Sequence, residues 1–205
     1  MNKPRCLITG SRYGLGQALV QEFQQDWEII EYDLVLGQDL NLLSVRQQLI
    51  EDLRQCSVFF NNCQVFQREL LFRAHELQTG LCQVVSNSTV TYLDHPDWIE
   101  LDAGYQEYIR EKQALDADIL LIHNLQSVNR ADHMHSYVIN VKMSYMDTPE
   151  HREMTVPKMN CAHVARAIRG IISLWPEVSV PQVVLAGIWP DSLSKILAPA
   201  PDMLP

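Results

Sequence analysis

Tyr108 and Lys112, four residues apart, are the pair in this sequence best suited to move a proton. On a helix, side chains with this spacing project from the same face, so the ammonium can lie beside the phenol. The unperturbed pKa of a tyrosine is about 10, and a neighbouring positive charge lowers it by favouring the phenolate. The pair can therefore act as a general acid or base, although the same spacing also arises by chance on helix surfaces.

A glycine-rich turn near the start of the sequence is suited to binding a phosphate. It runs from Thr9 to Gly16, follows an apolar run and leads into a segment with helical spacing. Glycine adopts positive φ readily and lets the backbone approach a ligand, and a helix N-terminus offers free N–H groups to an anion. A strand, a glycine turn and a helix in this order are typical of a dinucleotide-binding corner. The residues expected to line it are Gly10, Ser11, Arg12, Tyr13, Gly14, Leu15 and Gly16.

Polar residues also follow the next three predicted strands. Asp33 could accept hydrogen bonds from an adenosine ribose and would repel a 2′-phosphate, which favours NAD over NADP. Arg12 in the glycine turn could instead pair with that phosphate, so NADP stays open. Asn61 and Asn62 could brace the neighbouring turn, and Ser88 could donate to a substrate oxygen. Because the carboxyl ends of parallel strands meet at one edge of a sheet, we expect these groups to lie together.

The elements that must position these residues alternate regularly. Short, nearly continuous apolar runs separated by helix-period segments indicate a parallel sheet covered on both faces. We therefore predict a doubly wound, Rossmann-type α/β fold, a three-layer α/β/α single domain over residues 1–205. The predicted strands are residues 5–9, 27–32, 57–60, 81–86, 137–141 and 182–188. The predicted helices are residues 15–25, 43–55, 67–77, 105–125 and 161–174.

Composition narrows the possible partners of the protein. The chain has 205 residues, a formal net charge of −9 and no cluster of basic residues, which argues against nucleic acid and anionic membranes. Its 5 cysteines lack the CxxC spacing of a zinc site, and no third ligand suits His133 and His135, so we expect no metal. We find no signal peptide and no membrane-spanning apolar run, and we expect a cytoplasmic protein with reduced thiols.

In this order the motifs resemble those of the short-chain dehydrogenase/reductase family, and the resemblance spans nearly the whole sequence. The family's TGxxxGxG motif matches the turn from Thr9 to Gly16, and its YxxxK motif matches Tyr108 and Lys112. Its NNAG motif appears as Asn61, Asn62, Cys63 and Gln64. Further matches to its cofactor-binding positions are Asp33, the adenine-contacting pair Asp39 and Leu40, and Thr148, the one residue kept from a PGxxxT segment.

The resemblance implies hydride transfer between the nicotinamide of NAD(H) or NADP(H) and a carbonyl or alcohol carbon of a small molecule. Tyr108 would be the general acid or base. Lys112 would lower the pKa of Tyr108 and bind the nicotinamide ribose. Ser88, or alternatively Thr89, would polarise the substrate oxygen. The family commonly forms dimers or tetramers, so we also expect a homo-oligomer.

The sequence departs from the family pattern in several places. Residues 62–86 form a shorter segment than usual, and no asparagine matches the one that commonly joins the catalytic set. Met143 and Ser144 replace the family's Pro-Gly, the substrate loop at about residues 143–159 is brief, and a Pro-rich tail occupies residues 198–205. The family's additional strand is expected within residues 36–43. Two other hypotheses stay open: a nucleotide-binding sensor or interaction protein without turnover, and a fold remnant whose corner is blocked by Arg12 and Tyr13.

Overall fold

A parallel β-sheet forms the centre of the protein in a computed structural model. The structure describes residues 3–77, 80–87, 103–128, 136–143, 146–148, 158–175, 177 and 180–185, with only the backbone at residues 105 and 126–128. Within these residues the sheet has six strands in the order β2-β1-β3-β4-β5-β6, and every neighbouring pair is parallel. The strands are β1 (Arg5–Thr9), β2 (Glu28–Tyr32), β3 (Val58–Asn61), β4 (Cys82–Asn87), β5 (Tyr137–Met143) and β6 (Gln182–Leu185).

Helices cover both faces of this sheet and bury its apolar side chains. They are α1 (Gly14–Phe23), α2 (Leu43–Leu53), α3 (Gln67–Leu77), α4 (Ala103–Val128) and α5 (Cys161–Ile172). On one face, α1 and α5 pack together over a cluster that includes Phe23, Phe60 and Ile168. On the other face, α2 and α3 cover β1 and β3, and α4 covers β4 and β5. The predicted doubly wound, three-layer α/β fold is therefore confirmed.

The order of the strands creates a crevice at the carboxyl ends of β1 and β3. After β1 the chain runs to β2 on one side, and after β2 it crosses to β3 on the other side. The connections that leave β1 and β3 therefore diverge, which is where ligands bind in sheets of this type. The glycine turn follows β1 at this point, and Asn61 ends β3 beside it.

Most predicted elements agree with the structure. The ranges of β1 and α3 are the same, and the other described ends differ by three residues or fewer. The last strand is described from Gln182 to Leu185, and residues 186–188 lie outside the described part of the chain.

The prediction of a strand within residues 36–43 is wrong. Leu34–Leu36 forms a short 3-10 helix, whose start is capped by the Asp33 carboxylate accepting from the Val35 N–H. Gly37 ends this turn with φ of 78°, a left-handed conformation that glycine adopts at little cost. The few residues before α2 stay irregular, so β2 is the edge of the described sheet.

Among the described residues, no helix is both long enough and apolar enough to span a lipid bilayer.

Candidate functional site

The glycine turn packs α1 tightly against the end of β1. Gly10 and Gly14 have φ of 63° and 50°, which a residue with a side chain adopts only with strain. Gly16 has a different constraint, because a Cβ added there would lie 1.7 Å from the carbonyl oxygen of Gly10. The turn therefore requires small residues at all three positions, and it brings the N-terminus of α1 to the crevice.

The groups at this corner fit the phosphates of a dinucleotide. The N-cap residue of α1, Tyr13, makes no side-chain capping hydrogen bond, and the first turn of the helix has no acidic residue. The Oγ of Ser11 is buried and has no hydrogen-bond partner among the residues that the structure describes. Unsatisfied N–H groups at a helix start favour an anion, and a buried hydroxyl needs a partner such as a ligand or water.

Asp33 connects the glycine turn to the end of β2. Its Oδ2 accepts from the Arg12 backbone N–H at 3.0 Å, and its Oδ1 accepts from the Val35 N–H at 3.0 Å. The Arg12 guanidinium donates to Glu31 at 3.3 Å, and the Tyr13 side chain is 65% exposed. Neither side chain is buried within the corner, which disfavours the blocked corner considered above.

The residues after β3 are fastened to the glycine turn through Thr9. The Thr9 Oγ1 accepts from the backbone N–H groups of Asn62 (2.9 Å) and Cys63 (3.0 Å), and it donates to the Phe60 carbonyl. The Asn62 side chain also reaches the Gly10 carbonyl oxygen at 3.5 Å. Of the two amides expected to brace the turn, that of Asn62 therefore contacts it.

Three other residues predicted to bind the cofactor have mainly structural contacts. Asn61 is fully buried and donates to the backbone carbonyl of Gln67 at 2.8 Å. Asp39 accepts from the backbone and the side chain of Asn41. Leu40 is buried in the core on the α2 side of the sheet. Their predicted roles toward a cofactor stay predictions.

Tyr108 and Lys112 share one face of α4, as their spacing predicts; Lys112 is buried and Tyr108 is half-buried. The Lys112 Nζ is 5.5 Å from the centre of the Tyr108 ring, and burial lowers the pKa of Lys112 to about 8. Its ammonium donates to the Oε1 of Gln67 at 2.7 Å. Both residues line a cavity of about 270 Å³, together with Gln64 and Phe66. A buried ammonium beside a phenol is an arrangement that favours the phenolate.

Cys63 and Thr148 lie close to the glycine corner. Burial raises the pKa of the Cys63 thiol, the charge of Asp33 also raises it and that of Lys112 lowers it. Cys63 is therefore within electrostatic reach of both residues. Thr148 is buried, and its methyl group would lie 3.1 Å from a Cβ added at Gly14. Thr148 therefore packs against the start of α1.

Other parts of the predicted site lie outside the described residues. They include Ser88, Thr89 and residues 149–157 of the substrate loop. The last residue of β4, Asn87, immediately precedes Ser88. Its side chain is 0% exposed, and within the described part of the chain neither amide atom has a hydrogen-bond partner. In the described part of the chain, no group of three His, Cys, Asp or Glu side chains could hold a metal ion.

Sequence reasoning missed two residues at this site, Gln67 and Glu31. Gln67 follows the short connection after β3. The shortened segment of residues 62–86, which contains it, was the available signal in the sequence. Glu31 lies on the edge strand β2, and its local sequence gives no indication that it binds Arg12. Both contacts join residues that are far apart in the sequence, so local patterns do not reveal them.

Comparison with known proteins agrees with the fold. No protein-family model and no curated protein matches the sequence. A short-chain dehydrogenase from Burkholderia cenocepacia J2315 in complex with NADP is 12% identical, with a TM-score of 0.63 over 97% of this chain and 94% of that chain. A 3-ketoacyl-(acyl-carrier-protein) reductase from Brucella melitensis complexed with NADH is 13% identical, with a TM-score of 0.64 over 90% and 97%.

A third solved structure extends the agreement. The 3-alpha-hydroxysteroid dehydrogenase from Pseudomonas sp. B-0831 complexed with NADH is 17% identical, with a TM-score of 0.59 over 95% of this chain and 99% of that chain. At these identities the likeness concerns the fold. The chain has the fold of short-chain dehydrogenases and reductases.

Proposed function

We propose that the protein is an NAD(P)-dependent oxidoreductase that transfers a hydride between nicotinamide and a carbonyl or alcohol carbon of a small molecule. The observation that carries this proposal is the uncapped, glycine-lined start of α1, in a fold shared with enzymes solved with NADP and NADH. Tyr108, beside the buried ammonium of Lys112, adds a proton donor to it.

Binding of the dinucleotide would use the carboxyl ends of β1, β2 and β3. The backbone N–H groups of residues 10–16 and the Ser11 hydroxyl would receive the pyrophosphate. Asp33 would receive the adenosine ribose, since each carboxylate oxygen keeps a second lone pair after accepting its backbone N–H. Asp39 and Leu40 would border the adenine, and Asn61, Asn62, Cys63 and Thr148 would border the rest of the cofactor.

NAD(H) is the proposed cofactor rather than NADP(H). The Asp33 carboxylate would repel a 2′-phosphate. The nearby backbone N–H groups of Arg12 and Val35 already bind this carboxylate, so they are not available to the phosphate. Arg12, the cation that could offset this repulsion, is paired with Glu31 at 3.3 Å. The Arg12 side chain is 43% exposed, so this pair is weak and could exchange. The two acidic residues nevertheless leave the site less favourable for an added dianion.

Proton transfer would be the task of Tyr108. The nicotinamide supplies the hydride chemistry when it is bound. Tyr108 would donate a proton to the substrate oxygen in reduction and accept it in oxidation. The Lys112 ammonium would favour the phenolate form of Tyr108. The hydroxyl of Ser88, or of Thr89, would orient the substrate oxygen.

Turnover of the purified protein with a panel of small ketones, aldehydes and alcohols tests this function. We expect NADH consumption with at least one carbonyl and a loss of about 100-fold or more in Tyr108→Phe, which keeps the ring and removes the proton donor. The control is Tyr137→Phe, at the amino end of β5 and thus at the opposite edge of the sheet. NADH binding without turnover, equal in wild type and Tyr108→Phe, would favour the alternative of a nucleotide-binding sensor or interaction protein.

A homo-oligomer is also proposed, through the outer face of α4. Leu120, Leu121 and Leu125 are 60%, 50% and 50% exposed on this helix. Burying such a stripe against a second copy would remove apolar surface from water. Light scattering of wild type and Leu121→Glu tests the proposal, since the charge should shift the mass toward the monomer.

A further inference from the structure

Gln67 is a buried glutamine that joins three elements at the candidate site. Its side chain is 4% exposed, and its Nε2 donates to the carbonyl oxygens of Asn61 and Ser86, both at 2.7 Å. Its Oε1 accepts from Lys112 Nζ at 2.7 Å. The two carbonyls can only accept and the ammonium can only donate, so the orientation of the amide is fixed by its partners. Gln67 thus connects the ends of β3 and β4 to α4.

The backbone around Gln67 is built to hold this side chain inward. Asn61 donates to the Gln67 carbonyl at 2.8 Å while Gln67 donates to the Asn61 carbonyl, which makes a reciprocal pair. The preceding residue, Phe66, has φ of 56°, a conformation that costs about 1 kcal/mol or more for a bulky side chain. The Arg46 guanidinium lies 4.0 Å from the centre of the Phe66 ring. The chain therefore accepts local strain at Phe66, the residue immediately before α3.

The charges near Lys112 make a neutral acceptor significant. Among the described residues, Gln67 provides the hydrogen-bond acceptor found for the Lys112 ammonium. The charges of Cys63, in the β3–α3 connection, and of Glu111, on α4, both raise the pKa of Lys112. The ring of Tyr108, on the same helix, lies beside the ammonium. A carboxylate in place of the amide would cancel most of the positive charge that reaches Tyr108. An amide satisfies the ammonium by hydrogen bonding and leaves its charge uncompensated.

We propose that Gln67 is a positioning residue that holds the Lys112 ammonium beside Tyr108 without neutralising its charge. The proposal rests on the proposed function, in which Lys112 acts on the Tyr108 phenol. It assigns Gln67 a role where the expected asparagine of the catalytic set has no counterpart in this sequence. Gln67 acts through Lys112 and is not itself a group that contacts the reacting atoms.

The test compares two substitutions of Gln67 with a matched control. Gln67→Met removes the acceptor at similar volume, and Gln67→Glu replaces it with a carboxylate. Gln83 is also a fully buried glutamine, which donates to the Leu71 carbonyl and to Ser136 and does not contact Lys112. Gln83→Met therefore controls for the loss of a buried amide in general.

Two measurements report on the proposal. In the first, the chain is labelled with 13C at the lysine side chains, and the Lys112 signal, assigned with Lys112→Arg, is titrated by NMR without cofactor. We expect a wild-type midpoint near pH 8, a midpoint lower by about one unit or more in Gln67→Met, and a higher one in Gln67→Glu. Gln83→Met should leave the midpoint unchanged.

The second measurement is the pH profile of turnover. Both Gln67 variants should lower kcat and move the limb assigned to Tyr108 to higher pH, because each reduces the positive charge that reaches the phenol. A Lys112 midpoint that is the same in wild type, Gln67→Glu and any folded Gln67→Met would overturn the inference. If the midpoints shift as expected but wild type turns over no substrate, the proposed function fails while the contact between Gln67 and Lys112 stands.

Discussion

Replacing Gly16 with alanine should disrupt the glycine corner far more than any intrinsic gain in helix stability could offset. The new Cβ would lie 1.7 Å from the Gly10 carbonyl oxygen and 2.6 Å from its carbonyl carbon. Ordinary contact begins at 3.4 Å, so the backbone would have to separate by about 1.7 Å. Both partners belong to the backbone of the turn, so no side-chain rotation can relieve the clash.

The magnitude follows from two opposing effects. Alanine in place of glycine within a helix stabilises by about 1 kcal/mol, whereas forcing extra volume into a packed site costs about 1–3 kcal/mol or more. Because this overlap is with backbone, we expect the upper end of that cost and a net loss of about 2 kcal/mol in the free energy of unfolding. The separation of α1 from β1 should also abolish NADH binding.

Gly170 is the matched control, since it also lies in a helix, α5, but an added Cβ there meets none of the described residues within 4 Å. Gly170→Ala should stabilise the protein by about 0.5–1 kcal/mol and leave NADH binding intact. Urea denaturation and calorimetric titration with NADH measure both effects. A Gly16→Ala protein that is as stable as Gly170→Ala and binds NADH like the wild type would refute the predicted clash.

Three further predictions concern the groups around the corner. Thr9→Val removes the acceptor of two backbone N–H groups and should cost about 2–4 kcal/mol in urea denaturation; an unchanged midpoint would contradict it. Glu31→Gln frees Arg12 and should increase NADPH affinity about 5-fold by calorimetry, whereas Glu28→Gln on the same strand should not. The pKa of Lys112 is lowered to about 8 by burial, so the unfolded state binds more protons above that pH. Relative to Lys112→Met, wild type should gain about 2 kcal/mol in stability between about pH 7 and about pH 9.5, and a loss over this interval would reverse the sign of the argument.

Much of the fold could be predicted because local patterns determined it. The apolar run of β1 and the 3.6-residue periodicity of α3 gave their ranges correctly. The four-residue spacing placed Tyr108 and Lys112 on one face of α4, and the order of strands and helices placed the glycine turn at the crevice. Each of these features depends on residues that are close in sequence.

The remaining features depend on contacts that local patterns cannot specify. Asp33 was expected to bind the adenosine ribose of a cofactor. Its carboxylate also caps a 3-10 helix and accepts the Arg12 backbone N–H of the glycine turn. The additional strand was expected from the family resemblance, and the left-handed Gly37 shows why the chain turns instead. The partner found for Lys112 is Gln67, 45 residues away. No periodicity marks a glutamine whose buried amide nitrogen and oxygen will both be hydrogen-bonded.

The most direct test of the proposed function is a crystal structure of the protein with NADH bound. We predict the pyrophosphate at the N-terminus of α1, the adenosine ribose at Asp33, and the Tyr108 hydroxyl facing the nicotinamide together with Ser88 or Thr89. NADH absent from the corner at saturating concentration, or Tyr108 directed away from a bound nicotinamide, would contradict the account.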